Sequence, residues 1–280
     1  MHTVKAALEE AMATIERVDA HVLMAHVLGV NRAWLAANPM RVLTESEDAR
    51  VDMLVTRRAL GQPVAYLVEK REFYGREFAV GPDVLIPRPE TETLVEAALA
   101  RLAAHVSSPM PRRSCLDLGT GSGAVAVTLA CERPNATVTA SDVSQSALAV
   151  ARRNAEANGC RVELVRGSWY APLEGRRFDL IVANPPYVAG EDAHLAQGDL
   201  RFEPPGALTD GSRDGLDSIR AIVAGAAEHL NPHGWLLVEH GYDQARQVEA
   251  LLEAAGLRET ISIPDLAGIA RVAGGKMGTS

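Results

Sequence analysis

Residues 116–130 read Leu116-Asp117-Leu118-Gly119-Thr120-Gly121-Ser122-Gly123, followed by AVAVTLA. The glycines permit positive φ and let a ligand approach the main chain closely, while the closing apolar residues are typical of a buried helix. A helix that begins after such a turn offers unpaired N–H groups and the positive end of its dipole. The stretch therefore predicts a strand, a glycine-rich turn and a helix, which together form the ligand-binding corner of an open α/β sheet.

The chain beyond residue 114 alternates between short apolar runs and helical stretches. Such alternation is typical of parallel strands joined by crossover helices, so we predict an α/β fold with a doubly wound, Rossmann-like sheet. The predicted strands are residues 115–118, 137–141, 162–165, 178–183 and 235–239. The helices between them are predicted to begin near Ala124, Ser144, Asp214 and Asp243, and the tail GGKMGTS is expected to be frayed.

Residues 1–70 carry helical patterns and no strand pattern. Apolar residues between Val4 and Leu23 recur at three- and four-residue spacing, which indicates a helix with one buried face. Thr44 and Glu47 have the form of a capping box at the start of a second helix. We therefore expect a small all-helical N-terminal domain.

A short β-hairpin is predicted between this domain and the α/β sheet. Apolar residues alternate with other residues around Gly81-Pro82, which we predict to be the turn of the hairpin. The proline and early acidic residues of Pro89-Glu90-Thr91-Glu92 then predict the start of a helix. The expected organisation is a helical domain over 1–70, a hairpin linker over 71–88 and an α/β domain over 89–280.

Composition excludes several classes of protein. The 280 residues carry 28 Lys and Arg against 36 Asp and Glu, a formal net charge of -8, which argues against binding nucleic acid mainly through its phosphates. No run reaches the ~18 apolar residues of a membrane-spanning helix, and the start lacks the features of a signal peptide. The three cysteines form no CxxC pair and no HExxH occurs, so we expect a cytoplasmic protein with no metal site.

Asp142 indicates which kind of ligand the glycine-rich turn binds. It follows the turn by about 20 residues and lies at the end of the next predicted strand. There its carboxylate can accept both hydroxyl protons of an adenosine ribose. Gly119-x-Gly121-x-x-Ala124 fits the dinucleotide fingerprint and equally the loop of S-adenosylmethionine enzymes, so the turn alone leaves both cofactors open. A P-loop is excluded, because no Gly-Lys-Ser/Thr follows a glycine run.

A second motif, Asn184-Pro185-Pro186-Tyr187, directly follows the predicted strand 178–183. Successive prolines fix φ and remove donors, so a rigid loop projects from the carboxyl edge of the sheet. The Asn184 side-chain oxygen and the Pro185 carbonyl are two acceptors beside the Tyr187 ring, which suits a planar nitrogen with two N–H groups, as in an amide or a base amine. Accepting those hydrogens raises electron density on the nitrogen and directs its lone pair toward a methyl group. Because the motif has no role in NAD enzymes, the predicted cofactor is S-adenosylmethionine.

Several segments together resemble one family. Besides LDLGTGSG and NPPY, they are LIPRPETE at 85–92, GSW at 167–169, FEP at 202–204, DGL at 214–216 and EHG at 239–241. Over nearly the whole chain this combination resembles the release factor glutamine methyltransferases, the PrmC or HemK family of class I S-adenosylmethionine-dependent enzymes. The resemblance implies a seven-stranded sheet whose last strand is antiparallel. It also implies N5-methylation of the glutamine in the Gly-Gly-Gln tripeptide of bacterial peptide chain release factors, which act in translation termination.

The resemblance also assigns residues to the cofactor. It implies that the methionine part is held by Gly119, Thr120, Gly121, Ser122 and Gly123. It implies further that Asp142 holds the ribose hydroxyls and that Trp169 flanks the adenine.

On the substrate side, the resemblance implies that Asn184 touches both cofactor and substrate, and that Pro185, Pro186 and Tyr187 complete the glutamine pocket. Asn184, Pro185 and Tyr187 are accordingly the predicted catalytic residues.

Four further positions carry weaker predictions. Arg88 and Glu90 are candidates for the pocket wall, and Glu69 stands where the family often has glycine, which affects only the linker conformation. Glu239 invites a general-base interpretation, but we expect it to close a strand, since a methylated nitrogen sheds its proton easily. Residues 1–70 are expected to recognise the protein substrate, and the enzyme is expected to be a monomer.

Two other functions are open to the sequence. An N6-adenine methyltransferase of DNA or RNA shares Asn-Pro-Pro-Tyr, but it would need a basic face and a target-recognition domain, which the net charge of -8 and the compact helical domain disfavour. A non-catalytic sensor of the cofactor would have no need of two acceptors that face the methyl group.

Overall fold

The computed structural model describes residues 2–103 and 113–278. They form two compact units. One contains the chain up to Lys70 together with Gln197–Phe202, and the other contains Arg71–Ala196 and the chain from Glu203 onward. Within the described ranges, no helix is long and apolar enough to cross a membrane.

The first unit is a helical bundle. The predicted capping box is present, because the Thr44 side chain accepts from the Glu47 amide and the Glu47 carboxylate accepts from the Thr44 amide at 2.8 Å. Apolar residues from successive helices close the core, among them Leu8, Met24 and Val51. The helices are α1 Val4–Met12, α2 Arg17–Leu28, α3 Arg32–Ala37, α4 Glu45–Ala59 and α5 Val64–Leu67.

Gln197–Phe202 joins this bundle although it lies far away in the sequence. Arg58 donates to Asp19 at 2.6 Å and to Asp199 at 2.9 Å, so one guanidinium links two helices of the bundle to the segment. Arg201 adds a bond from its guanidinium to the Leu60 carbonyl at 2.6 Å. The predicted helical domain over 1–70 did not include this segment, because no local sequence pattern indicates a contact between residues so far apart in the chain.

The hairpin is present, but its predicted turn at Gly81-Pro82 is wrong. β1 (Lys70–Phe73) pairs with β2 (Arg76–Ala79), and the turn between them is Tyr74-Gly75. Both turn residues have positive φ, 51° and 70°, which is the geometry that lets a two-residue turn match the twist of its strands. The chain after β2 remains irregular.

The second unit is built on a sheet of seven strands in the order β5-β4-β3-β6-β7-β9-β8. β9 is antiparallel to both of its neighbours, and the pairings among β3 to β7 are parallel. This topology confirms the predicted doubly wound α/β fold with an antiparallel last strand. The strands are β3 Ser114–Leu118, β4 Thr137–Asp142, β5 Glu163–Arg166, β6 Phe178–Ala183, β7 Leu230–Glu239, β8 Arg258–Pro264 and β9 Ala270–Lys276.

The apolar pattern predicted five of these strands and missed β8 and β9. Residues 274–276 lie in β9, so the expectation of a frayed tail is wrong there, and residues 279–280 of that tail lie outside the described residues. Gly274 and Gly275 weakened the strand pattern of β9, because glycine in the interior of a strand is unfavourable. In the structure Gly274 packs closely against β7, since a Cβ on it would lie 2.5 Å from the Leu237 side chain.

Helices cover both faces of the sheet. Leu180 and Val182 point to the face packed by α6 and α7, while Ile181 and Ala183 point to the face packed by α10 and α11. Two helices begin a little later than predicted, α10 at Asp217 and α11 at Ala245. The helices of this unit are α6 Glu92–Ala103, α7 Ala124–Glu132, α8 Gln145–Ala157, α9 Pro205–Leu208, α10 Asp217–His229 and α11 Ala245–Ala254.

The strand register decides which side chains meet. Leu118 on β3 is aligned with Ser141 on β4 and with Ala183 on β6. The residues that directly follow these three, among them Asp142 and Asn184, therefore leave the sheet side by side. The carboxyl edge at the centre of the sheet is consequently the candidate site.

Candidate functional site

The glycine-rich turn takes the conformation that its sequence requires. Gly119, Gly121 and Gly123 have φ values of 72°, 54° and 82°, which residues with a side chain rarely adopt. The amides of Gly119 and Thr120 donate to the Ser141 carbonyl at 2.9 and 3.0 Å, and this pair anchors the turn to the end of β4.

Asp117 supports the turn from beneath. Its Oδ2 accepts from the Thr120 hydroxyl at 2.7 Å and from the Ala126 amide at 3.2 Å. Burial raises the pKa of this carboxyl to about 6, and the two hydrogen bonds oppose that rise. Asp117 therefore shapes the turn from within the protein and does not face a ligand.

Asp142 ties the end of β4 to the same turn. Its Oδ2 accepts from the Gly121 amide and its Oδ1 from the Ser144 amide, both at 2.9 Å. Each carboxylate oxygen has two acceptor sites, so one on each oxygen remains available to a ligand. A carboxylate held in this way is prepared to accept two hydroxyl groups at once.

Trp169 closes the other side of the turn. It has a φ of 46°, a backbone conformation that is uncommon for a residue with a side chain, and the Ser141 hydroxyl donates to its carbonyl at 3.3 Å. A Cβ on Gly119 would lie 3.4 Å from the indole ring, so the bare glycine and the flat ring face each other.

These groups surround a cavity of about 430 Å³. Of the predicted site residues, the lining includes Gly119, Gly121, Asp142, Trp169, Asn184 and Pro186. The lining also includes residues that sequence reasoning missed, among them Val84, Leu85, Val143, Ser144, Ala207 and Asp210. Few of these missed residues carry a chemical signal, and irregular segments bring several of them to the site.

Asn184 is one of the polar residues that line the cavity. It directly follows β6, and its Nδ2 donates to the Thr91 hydroxyl at 3.1 Å. With the amide nitrogen engaged in this way, Oδ1 is the end of the side chain left to accept a hydrogen bond. Thr91 is 4% exposed, and nothing in its local sequence pointed to this contact.

Tyr187 is held at both its side chain and its carbonyl. Its hydroxyl donates to Glu239 Oε1 at 3.3 Å, and its carbonyl accepts from Gln244 at 2.9 Å. Burial, followed by the neighbouring Glu239 charge, raises the pKa of Tyr187 above its usual range. Gly215 is required here, since a Cβ would overlap the Tyr187 carbonyl. The ring is therefore fixed before any ligand arrives.

The other predicted residues lie outside the cavity lining. Thr120 and Ser122 are buried, and Gly123 packs against Ala151 of α8, so these three residues shape the site from behind. Pro185 is also buried.

Arg88 and Glu90, the residues predicted for the pocket wall, are not among the residues that line the cavity. Arg88 is engaged by the buried carboxylate of Glu203, which also accepts from the Ile86 amide at 3.0 Å. Glu90 is exposed and does not line the cavity. Among residues 2–103 and 113–278, no three His, Cys, Asp or Glu side chains are grouped as metal ligands.

The cavity suits the predicted cofactor. It joins a carboxylate with acceptor sites for two hydroxyls, a flat indole ring and a half-buried glycine backbone, in a volume of about 430 Å³. These features match a ribose, a flat base and a linear chain respectively.

Two protein families match the sequence. Residues 1–68 match the family described as PrmC N-terminal domain, and residues 93–201 match the family described as Methyltransferase small domain.

Close relatives match nearly the whole chain. A protein of Bordetella pertussis named release factor glutamine methyltransferase is 53% identical over 262 residues, 93% of this chain and 95% of its own length. A Xylella fastidiosa protein of the same name is 50% identical over 272 residues, 97% of each chain. A solved methyltransferase from Pyrococcus furiosus shares the fold, with a TM-score of 0.52 and 19% identity over 80% of this chain and 98% of its own.

Proposed function

The chain belongs to the release factor glutamine methyltransferase family, and we propose that it methylates the glutamine of Gly-Gly-Gln in bacterial peptide chain release factors. S-adenosylmethionine supplies an electrophilic methyl group, and the product is N5-methylglutamine, made for translation termination. The observation that carries the proposal is Asn184, which lines the same cavity as Asp142 and the glycine turn and whose Nδ2 is the end bound to Thr91. The relatives' name disfavours the N6-adenine alternative.

The cofactor is assigned to residues of the cavity. Asp142 would bind the ribose hydroxyls, Trp169 would pack on the adenine, and the turn from Gly119 to Gly121 would lie along the methionine part. This assignment is supported by the two acceptor sites that the Gly121 and Ser144 amides leave open on Asp142.

The substrate amide is assigned to the loop from Asn184 to Tyr187. An amide nitrogen is a weak nucleophile, because its lone pair is delocalised into the carbonyl. Asn184 Oδ1 and the Pro185 carbonyl would each accept one of its N–H groups, which turns the lone pair toward the methyl group. Positioning of this kind supplies several kcal/mol, up to about 7–11 in favourable cases.

The proton needs no dedicated base. The amide nitrogen becomes strongly acidic once it is methylated, so it releases its proton to water as the product leaves. Glu239 is 1% exposed and is separated from solvent, which speaks against its acting as the acceptor.

The direct test is mass mapping of the product. Purified protein, release factor and labelled cofactor are incubated, and the label is expected on the Gly-Gly-Gln glutamine alone. Label on another residue, or on duplex DNA offered in the same mixture, would refute the proposed function.

Asp142→Ala is expected to weaken cofactor binding by about 1–3 kcal/mol, roughly five- to 150-fold in Kd, because charge-assisted hydrogen bonds to the ribose are lost. Calorimetry measures this change directly. Saturating cofactor should then restore much of kcat, and a collapse of kcat at unchanged Kd would show that Asp142 does not hold the ribose.

We also assign recognition of the whole release factor to the helical domain over residues 1–70, with 71–88 as linker and 89–280 as catalytic domain. Gly-Gly-Gln is flexible, and ordering it costs about 1–2 kcal/mol per residue, so the tripeptide alone binds weakly. Contacts away from the active site must provide most of the affinity for the protein substrate.

A chain that begins at Glu72 is expected to bind cofactor but to show a KM for the full-length release factor raised at least about tenfold, the equivalent of 1.4 kcal/mol. Steady-state kinetics with the full-length release factor measures this change in KM. A short Gly-Gly-Gln peptide serves as the control, since both chains should use it equally poorly. Equal KM values on the full-length factor would exclude recognition by this domain.

The remaining assignments follow from the substrate. Release factors work in the cytoplasm, so the enzyme is placed there, and with a net charge of -8 it is assigned no direct contact with nucleic acid. The enzyme is proposed to be a monomer.

A further inference from the structure

The Asn184 side chain, which supplies an acceptor in the proposed reaction, is bound by a hydroxyl from a distant segment of the chain. Its Nδ2 donates to Thr91 Oγ1 at 3.1 Å. Thr91 is 4% exposed, so water competes little for this bond. Because the end of the Asn184 side chain is a planar amide, a fixed Nδ2 also fixes the direction in which Oδ1 points.

The backbone around Asn184 is restrained, but its side chain is not. The preceding residue, Ala183, ends β6 and is aligned with residues of both neighbouring strands. Pro185 and Pro186 then fix φ at two successive positions. Strand pairing and prolines hold the main chain, yet neither prevents rotation of the Asn184 side chain. A bond to the side chain itself is needed for that.

Thr91 is well placed to provide this bond. It ends a single turn of 3₁₀ helix, Pro89–Thr91, in which the Thr91 amide donates to the Arg88 carbonyl at 3.1 Å. α6 begins at the next residue, Glu92. Threonine is also β-branched, which limits the rotamers of its hydroxyl. The position of the Thr91 oxygen is therefore set by regular backbone structure.

A buried carboxylate fastens the chain just before this turn. The side chain of Glu203 is fully buried, and it accepts from the Ile86 amide at 3.0 Å and from the Arg88 guanidinium. Charge-assisted bonds of this kind are stronger than bonds between neutral groups. Glu203 thus anchors the residues from which the turn with Thr91 starts.

Three of the motifs on which the family resemblance rests are joined in this way. FEP at 202–204 supplies Glu203, LIPRPETE at 85–92 supplies Arg88 and Thr91, and NPPY supplies Asn184. Asn184 lines the cavity, whereas Arg88, Thr91 and Glu203 are not among its lining residues. These three residues can influence the reaction only through the group that they hold.

We propose that Thr91 is a positioning residue that holds the Asn184 side chain with Oδ1 toward the substrate amide, and that Glu203 anchors the turn that carries Thr91. The inference rests on the proposed function, because it assigns a cause to the orientation of the acceptor used there.

Loss of the Thr91 hydroxyl removes this restraint. Nδ2 of Asn184 is then left without its partner, and the side chain can turn about its last bond. An amide that has turned over presents its hydrogens to the N–H groups of the substrate, and two donors cannot form a hydrogen bond with each other. A smaller fraction of the enzyme then holds the substrate amide productively, so kcat falls.

The test uses full-length variants on the full-length release factor. Thr91→Val is expected to lower kcat about five- to fiftyfold, in the range of one buried donor left unpaired, with cofactor Kd unchanged. Thr91→Ser keeps the hydroxyl and should retain a kcat within about twofold of the wild-type value. Thr91→Ala, which is smaller than valine, should show the same loss as Thr91→Val and replaces it if valine prevents folding.

A double-variant cycle separates positioning from a merely structural role. If Thr91 acts through Asn184, Thr91→Val should have no further effect on kcat in a protein that already carries Asn184→Ala. Single-turnover measurements with labelled cofactor follow these slow variants. Thr128→Val is the matched control, because it removes another buried threonine hydroxyl, which donates to the Ala124 carbonyl at 2.7 Å within α7, and it should leave kcat unaffected.

Three results would overturn the role of Thr91 while the proposed function stands. They are wild-type kcat in Thr91→Val, an equal loss of kcat in Thr91→Ser and Thr91→Val, and a further loss when Thr91→Val is added to Asn184→Ala. Absence of glutamine methylation by the wild-type protein would instead refute the proposed function, and the inference with it.

Discussion

Asn184→Ala is expected to lower kcat on the release factor at least about a hundredfold, because the acceptor that orients the amide nitrogen is removed. Cofactor affinity should remain close to that of the wild-type protein, since the glycine turn and Asp142 carry most of the polar groups offered to the cofactor. Turnover measured together with calorimetry separates the two quantities. This separation is what distinguishes a catalytic residue from a cofactor ligand.

Asn231→Ala is the matched control for this variant. Asn231 donates to Asp179 at 3.0 Å, at the other edge of the sheet, so its loss affects stability and not the site. If Asn184→Ala lost cofactor binding in proportion to its activity, Asn184 would have to be reassigned as a ligand of the cofactor.

A release factor that carries Gly-Gly-Asn is expected to be methylated at least about a hundredfold more slowly than the Gly-Gly-Gln factor, because a misplacement of about 1 Å costs that much. Asparagine is shorter by one methylene, which withdraws its nitrogen by roughly that distance. The two acceptors on Asn184 and Pro185 are attached to a rigid loop and cannot follow it.

Competition between the two factors gives the ratio directly, with mass spectrometry of the tripeptide as the readout. The asparagine factor should still compete for binding if affinity comes from surfaces away from the site. Comparable methylation of both factors would mean that the pocket does not select the length of the side chain.

Local sequence patterns were sufficient for five strands of the sheet and for the glycine-rich turn. LDLGTGSG predicted a strand, a turn and a helix because positive φ at three glycines is a local requirement, and the structure has them at 72°, 54° and 82°. The capping box at Thr44 is likewise a contact between residues three positions apart. Properties that depend on a few consecutive residues can be predicted from those residues.

The secondary-structure and domain predictions were wrong where contacts with a segment distant in the sequence decide the conformation. The hairpin turn was placed at Gly81-Pro82, but pairing of β1 with β2 selects Tyr74-Gly75. β9 was missed because Gly274 weakens its local signal, whereas its position beside β7 stabilises the strand. Gln197–Phe202 joins the helical bundle through Arg58 and Arg201, which no pattern in either segment announces.

The sequence by itself determined the fold class, because periodicity and glycine placement are encoded over short stretches, and its combination of short motifs resembles the family that the relatives confirm. Only the tertiary structure decided which partner the Asn184 side chain has. Thr91 and Asn184 lie far apart in the chain, and the end of β6 together with the turn just before α6 brings Asn184 Nδ2 to 3.1 Å from the Thr91 hydroxyl. The direction of a hydrogen bond depends on both of its partners, so it exists only once the fold has joined them.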